Sequence, residues 1–144
     1  MPVDPNNPVP LYEQIVDHVC GLVSAGVYQP DEMLPSVRAL AQELVVNPNT
    51  VQRAYQELER RKLITTRRGL GVFVMKNGED TARRITESVV QTRFSEGISL
   101  GMAAKLSSQR IESLFHRTLA SRFKRSQRSS QAEQEVAPHE EDHS

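Results

Sequence analysis

The chain has 144 residues, and its 18 Lys plus Arg balance 18 Asp plus Glu, so the formal net charge is zero. That zero hides unlike blocks: residues 1–30 carry −3, 31–78 carry +3, 79–130 carry +5 and 131–144 carry −5, an asymmetry that points to a polyanionic partner. One cysteine, Cys20, excludes an internal disulfide, and three Tyr, four Phe and no Trp argue against a single-strand nucleic-acid binder built on stacked aromatics.

The first ten residues, with four prolines, predict an extended arm over 1–10. Met1-Pro2-Val3-Asp4-Pro5 lacks the basic region and apolar core of a signal peptide, and no apolar run approaches the roughly 18–20 residues of a membrane span, so the expected location is cytoplasmic. Leu11, Ile15, Val19, Leu22 and Val23 recur at helical steps and give one buried helix face, punctuated by Gly26 and Pro30. Ser36 is a predicted N-cap for a short second helix with Val37, Leu40, Ala41 and Leu44 inward. Asn47-Pro48 starts a third helix, because an Asn cap followed by Pro leaves no amide unpaired at the first helical position. Its buried stripe is Val51, Ala54, Tyr55 and Leu58, and Glu59-Arg60-Arg61-Lys62 closes it.

The period then changes. Leu63-Ile64-Thr65-Thr66 and Val72-Phe73-Val74 read as two strands around the turn Arg67-Arg68-Gly69-Leu70-Gly71. Three helices and a hairpin over residues 11–76 outline a winged helix-turn-helix. From Glu79 helical spacing returns, with an interruption possible near Gly97, and Ser107 is a predicted cap for a last helix. Residues 125–144 hold Val136 as their only large apolar side chain and are expected to be disordered. The segment 79–124 is too small for a core of its own, so its apolar residues Ile85, Val89, Ile98, Met102, Ile111, Leu114 and Phe115 are expected to meet a second copy in a two-fold dimer. The fold class is therefore α+β, mainly α: a winged helix-turn-helix followed by a small two-helix dimerisation segment.

The chemistry concentrates on the third helix. Asn49, Gln52, Arg53 and Gln56 fall opposite its apolar stripe, with Thr50 at the edge. Asn and Gln pair bidentately with adenine, Arg with guanine, and the Thr methyl can touch thymine. Taken alone, this surface fits a solvated polar face equally well. Arg38, one turn into the second helix, and Arg67 with Arg68 beside Gly69 at the hairpin tip place further cations on successive elements of one motif, where they suit phosphate or minor-groove contact.

The stretches Pro8-Val9-Pro10-Leu11-Tyr12-Glu13-Gln14-Ile15, Leu34-Pro35-Ser36-Val37-Arg38-Ala39-Leu40-Ala41, Asn47 through Glu59, Leu63-Ile64 and Gly69-Leu70-Gly71-Val72-Phe73-Val74 closely resemble the DNA-binding domain of GntR-family bacterial repressors, over about residues 8–75. The Asn-Pro-Asn-Thr-Val start and the short two-helix tail resemble the YtrA subfamily. That resemblance implies DNA contact by Arg38, Asn47, Asn49, Thr50, Gln52 and the Arg68-Gly69 wing tip, dimerisation through the C-terminal segment, and control of ABC-transporter operons. Asp31, Val45 and Lys62 stand where the family commonly carries glycine, and Pro48 and Gln52 where many relatives carry arginine.

Two motif strings carry no enzyme. His139-Glu140-Glu141-Asp142-His143 matches H-E-x-x-H, but follows Pro138 at an acidic terminus without apolar support. Gly97-Ile98-Ser99-Leu100-Gly101 matches G-x-S-x-G, but no strand precedes it and no parallel sheet fits the remaining chain. No catalytic residue, metal or cofactor is expected. The expected partners are an operator in double-stranded DNA, a second copy of the chain and an effector that the sequence does not identify; a winged-helix adaptor that contacts protein without specific DNA binding is the alternative.

Overall fold

The computed structural model describes residues 3–135. Its described elements run α1 (Leu11–Ser24), α2 (Val37–Leu44), α3 (Pro48–Arg60), β1 (Ile64–Arg67), β2 (Gly71–Val74), α4 (Gly78–Ala103) and α5 (Ser108–Glu135). The helix starts follow the cap signals. Ser36 Oγ accepts from the Ala39 amide at 3.1 Å, and Asn47 Oδ1 accepts from the Asn49 amide at 2.8 Å with Pro48 at the first helical position.

The chain divides into two compact units, residues up to Arg93 and residues from Phe94. In the first, Ile15, Val16, Val19 and Val23 of α1 meet Leu40, Ala41 and Leu44 of α2, Val51, Ala54 and Leu58 of α3, and Leu63, Ile64 and Val74 of the hairpin. Burying a side chain of this size stabilises the fold by about 1.5–3 kcal/mol. Tyr55 joins this core because its hydroxyl donates to the Pro35 carbonyl at 2.7 Å; burial raises its pKa. β1 and β2 pair antiparallel with Ile64 opposite Val74 and Arg67 opposite Gly71.

Three features of this unit differ from the expectation. The arm is docked rather than merely extended: Val3 is buried in the core, and the Gln14 amide nitrogen donates to the Asp4 and Val9 carbonyls while its oxygen accepts from the Asp4 amide. Residues 31–34 lie along the free edge of β2, with the Leu34 amide donating to the Val72 carbonyl and the Val74 amide to the Glu32 carbonyl. Finally, Ile85 belongs to the winged-helix core together with Ala82 and is not available for dimerisation. Helical spacing identifies a face that needs covering but not which neighbour covers it, and here the first half of α4 serves the preceding unit. Arg93 reinforces this by pairing with Asp17 of α1 at 2.6 Å.

In the second unit, α4 continues without a break through Gly97 and Gly101, so the G-x-S-x-G string lies inside a helix and forms no strand-to-helix elbow. A Cβ on Gly101 would stand 2.9 Å from Ile111 Cδ1, so its absence lets α5 approach α4 closely. Phe94 and Phe115 meet edge-on at 5.4 Å, and Ser107 Oγ caps α5 by accepting from the Arg110 amide. Residues 125–135, expected to be disordered, are helical as the end of α5. The expectation considered only buried apolar surface; extending a helix already nucleated at Ser108 fixes one residue per new hydrogen bond and avoids the cost of starting one. The H-E-x-x-H string and Val136 lie outside the described residues.

Candidate nucleic-acid interface

Helix α3 buries Val51, Ala54, Tyr55 and Leu58 and turns Asn49, Gln52, Arg53 and Gln56 outward, all four exposed; Thr50 is half-buried. Asn47 is exposed, but its carboxamide oxygen is engaged in the cap, which leaves only the amide nitrogen for an outside partner. Arg38 stands exposed in the first turn of α2. At the far end of α3, Glu57 accepts from Arg60 and Arg61, and these bonds hold its carboxyl down at about 2. Two of the cations that close the helix are thus tied to one carboxylate, and its open polar surface lies towards the N-terminal turns.

The wing tip is a tight turn in which the Leu70 amide donates to the Arg67 carbonyl at 2.9 Å and Gly69 takes φ +77°, a conformation that favours glycine. Arg68 and Gly69 are exposed. Arg67 is exposed too, but its guanidinium pairs with Asp31 at 3.4 Å and lies 4.3 Å from the Phe73 ring centroid. Arg53 is held in the same manner, 3.9 Å from the Tyr12 ring centroid. Residue-by-residue sequence reading misses Tyr12, Phe73 and Asp31 as supports of site arginines, because each pairing joins elements far apart in the chain. The one available signal was Asp31 as a departure from the family's glycine.

All three glycine replacements keep the left-handed backbone: φ is 64° at Asp31, 56° at Val45 and 62° at Lys62. The surrounding bonds dictate this. The Val46 amide donates to the Ala41 carbonyl across Val45, and the Leu63 amide to the Leu58 carbonyl across Lys62. The turn that delivers α3 therefore has the geometry a glycine would adopt, carried by a β-branched side chain.

Of the remaining residues expected at a dimer surface, Val89 is half-buried, Ile111 packs on Gly101, and Ile98, Met102, Leu114 and Phe115 are 46, 66, 36 and 40% exposed. Leu119 and Phe123 of α5 add further exposed apolar surface. Among the described residues no cluster of His, Cys, Asp or Glu could hold a metal ion, and no helix is long and apolar enough to cross a membrane. Cys20 is buried, and desolvation pushes its thiol up to about 12, which keeps it an inert core side chain.

Residues 11–74, from α1 to the end of β2, match the family model for bacterial regulatory proteins of the gntR family. The chain is 44% identical over 79 residues to the HTH-type transcriptional repressor YtrA of Bacillus subtilis (strain 168), covering 55% of this chain and 61% of that protein. It is 35% identical over 96 residues to the HTH-type transcriptional regulator YhcF of the same organism, covering 65% of this chain and 79% of the other. Among solved structures, a GntR family transcriptional regulator from Listeria monocytogenes is 30% identical, with a TM-score of 0.63 over 79% of this chain and 97% of that one. These relatives are named as transcriptional regulators, not enzymes. The chain belongs to the GntR family of bacterial regulatory proteins, as a YtrA-like regulator whose winged helix is its DNA-binding domain.

Proposed function

We propose that this regulator is a homodimeric repressor that binds a palindromic operator in duplex DNA and controls a transporter operon. The observation that carries the reading is the outward row Asn49, Gln52, Arg53 and Gln56 on a helix capped at Asn47 and fixed by α1 and α2. Such a helix enters a major groove with its N-terminal turns, where its carboxamides meet base edges and its guanidinium adds a contact to the duplex. Arg38 and Arg68-Gly69 supply contacts to the flanking backbone or minor groove, and the half-buried Thr50 lies within reach of a thymine methyl. Repression follows the name of the relative YtrA.

The dimer is supported by the second unit. Ile98, Met102, Leu114, Phe115, Leu119 and Phe123 are each at least 36% exposed, more large apolar surface than so small a unit leaves bare without a partner. Two copies related by a two-fold axis require a palindrome with half-sites about 10 bp apart, centre to centre. The test is selection of bound sequences from a random duplex pool, together with sedimentation of the free protein. The expected result is a palindromic consensus and a dimer. Failure to retain any duplex at low salt, combined with capture of a specific protein, would instead establish the adaptor role.

A further inference from the structure

Two arginines of the proposed reading surface are already ordered in the free protein, and one of them rests on a residue outside that surface. The Arg53 guanidinium lies over the ring of Tyr12, a contact between the middle of α3 and the first turn of α1. Tyr12 itself packs against the core, and that packing makes the ring a fixed shelf. A guanidinium held over an aromatic face keeps N–H donors open for a partner while losing rotamer freedom before that partner arrives.

The direction of the contact matters as much as its strength. Among the described residues Asn49, Gln52 and Gln56 have no such tether, and they are exposed on the side of α3 opposite its buried stripe, as base-reading side chains must be. Arg53 is instead drawn sideways onto the neighbouring helix. In a helix seated in a major groove, that flank is where the sugar–phosphate wall passes. We infer that Tyr12 is a positioning residue for DNA binding, which holds Arg53 as a clamp on a backbone phosphate and not as a reader of a base edge. This rests on the reading that α3 faces duplex DNA.

The test compares the wild type with Tyr12→Phe, Tyr12→Leu, Arg53→Ala and the Tyr12→Leu/Arg53→Ala double variant, each titrated on the selected operator across a salt series, with thermal melts to check folding. Tyr12→Phe keeps the ring and should bind as the wild type does. Tyr12→Leu should lose about 2–5-fold per protomer, the worth of an exposed cation–π contact, and so about 4–25-fold for the dimer. Arg53→Ala should flatten the salt slope by about 0.9 per protomer and leave the preference at every operator position unchanged. In that background Tyr12→Leu should add nothing. If Tyr12→Leu melts early, Arg53→Lys takes its place: it keeps the charge and the slope but loses the guanidinium's contact with the ring, and with it affinity.

Relaxed preference at one operator position in Arg53→Ala would make Arg53 a base reader and overturn the inference. So would unchanged affinity in folded Tyr12→Leu, or additive losses in the double variant. In all three cases the DNA-binding reading survives, because the wild type still selects an operator. A wild type that binds no duplex removes both.

Discussion

Val45 holds a β-branched side chain in the left-handed region, and Val45→Gly should make the protein more stable. Its φ of 56° lies in the left-handed region, at the C-cap of α2 where the chain turns towards Asn47. That conformation costs an ordinary L-residue about 1–2 kcal/mol, with a β-branched side chain at the upper end because both γ-carbons crowd the backbone. The side chain offers little in return, being 79% exposed. Glycine removes the steric cost but makes the unfolded chain more flexible, which takes back about 0.4–1 kcal/mol. The turn's bonds to Ala41 and Gln42 are between backbone atoms and do not depend on the side chain. The net gain is therefore about 0.5–1.5 kcal/mol, and in a unit of this size each kcal/mol raises Tm by about 4–8 °C. Calorimetry on Val45→Ala, Val45→Asn and Val45→Gly should give a rising series, since alanine removes the branch, asparagine tolerates the left-handed region and glycine is unhindered. Glycine at or below the wild type would refute the reasoning, and would mean that the Val45 side chain contributes something other than strain.

The same balance predicts a smaller gain for Asp31→Gly, since aspartate tolerates positive φ better than valine and Asp31 also pairs with Arg67. Gln14→Ala should destabilise the protein by about 1–3 kcal/mol in urea unfolding, because it removes three hydrogen bonds to part-buried backbone groups of Asp4 and Val9 and loosens Val3 from the core. Gly78→Ala should cost about 1–3 kcal/mol, because the new Cβ would lie 2.5 Å from Val74 Cγ1 in a packed region that also holds Val23 and Leu63; an unchanged melt would show that this corner is loosely filled. Glu57 has its pKa lowered from the usual 4.5 to about 2 by Arg60 and Arg61, so the stability it contributes is present above about pH 4.5 and is lost as pH falls towards 2. Solvent screening at this surface holds that contribution to about 0.5–1 kcal/mol, and Glu57→Gln should flatten the acid limb of stability against pH by that amount.

The helix starts were legible because caps are local chemistry: Ser36 and Asn47-Pro48 act on amides two or three residues away, and the structure places α2 and α3 where those signals put them. The outward row of α3 was legible for a similar reason, since one apolar stripe fixes the opposite face. What local pattern cannot carry is the identity of a distant neighbour. Val3 sits between prolines with no periodicity to announce it, yet it enters the core because Gln14 fixes the arm. Ile85 shows helical spacing that fits either unit. Residues 31–34 lack the length and the alternation of a strand and pair with β2 only because the turn at Asp31 aims them there. The Tyr12 and Phe73 supports belong to this class as well: an aromatic beside an apolar stripe reads as core until the arginine lying on it is seen.

These supports also change how the site's charge should be counted. Residues 31–78 carry a net +3, but their eight cations are not equivalent. Arg60 and Arg61 share the single charge of Glu57, which offsets one of the two, and Arg67 is partly neutralised by Asp31. Arg38, Arg53 and Arg68 of the proposed surface, like Lys62 and Lys76 outside it, take part in none of the described ion pairs. If those three each meet one phosphate, a dimer neutralises about six and its salt slope is about −5; adding Arg67 raises the limit to about −7. Charge on this modest scale leaves affinity to depend heavily on the uncharged amides of Asn49, Gln52 and Gln56, and therefore on base sequence. It also makes Asp31 a setting on that balance. Replacing it with asparagine frees Arg67 without altering the turn, and should strengthen binding to unrelated duplex DNA more than binding to the operator. That would narrow the gap on which sequence recognition depends, and an equal gain on both would show that Arg67 already reaches the phosphate despite its partner.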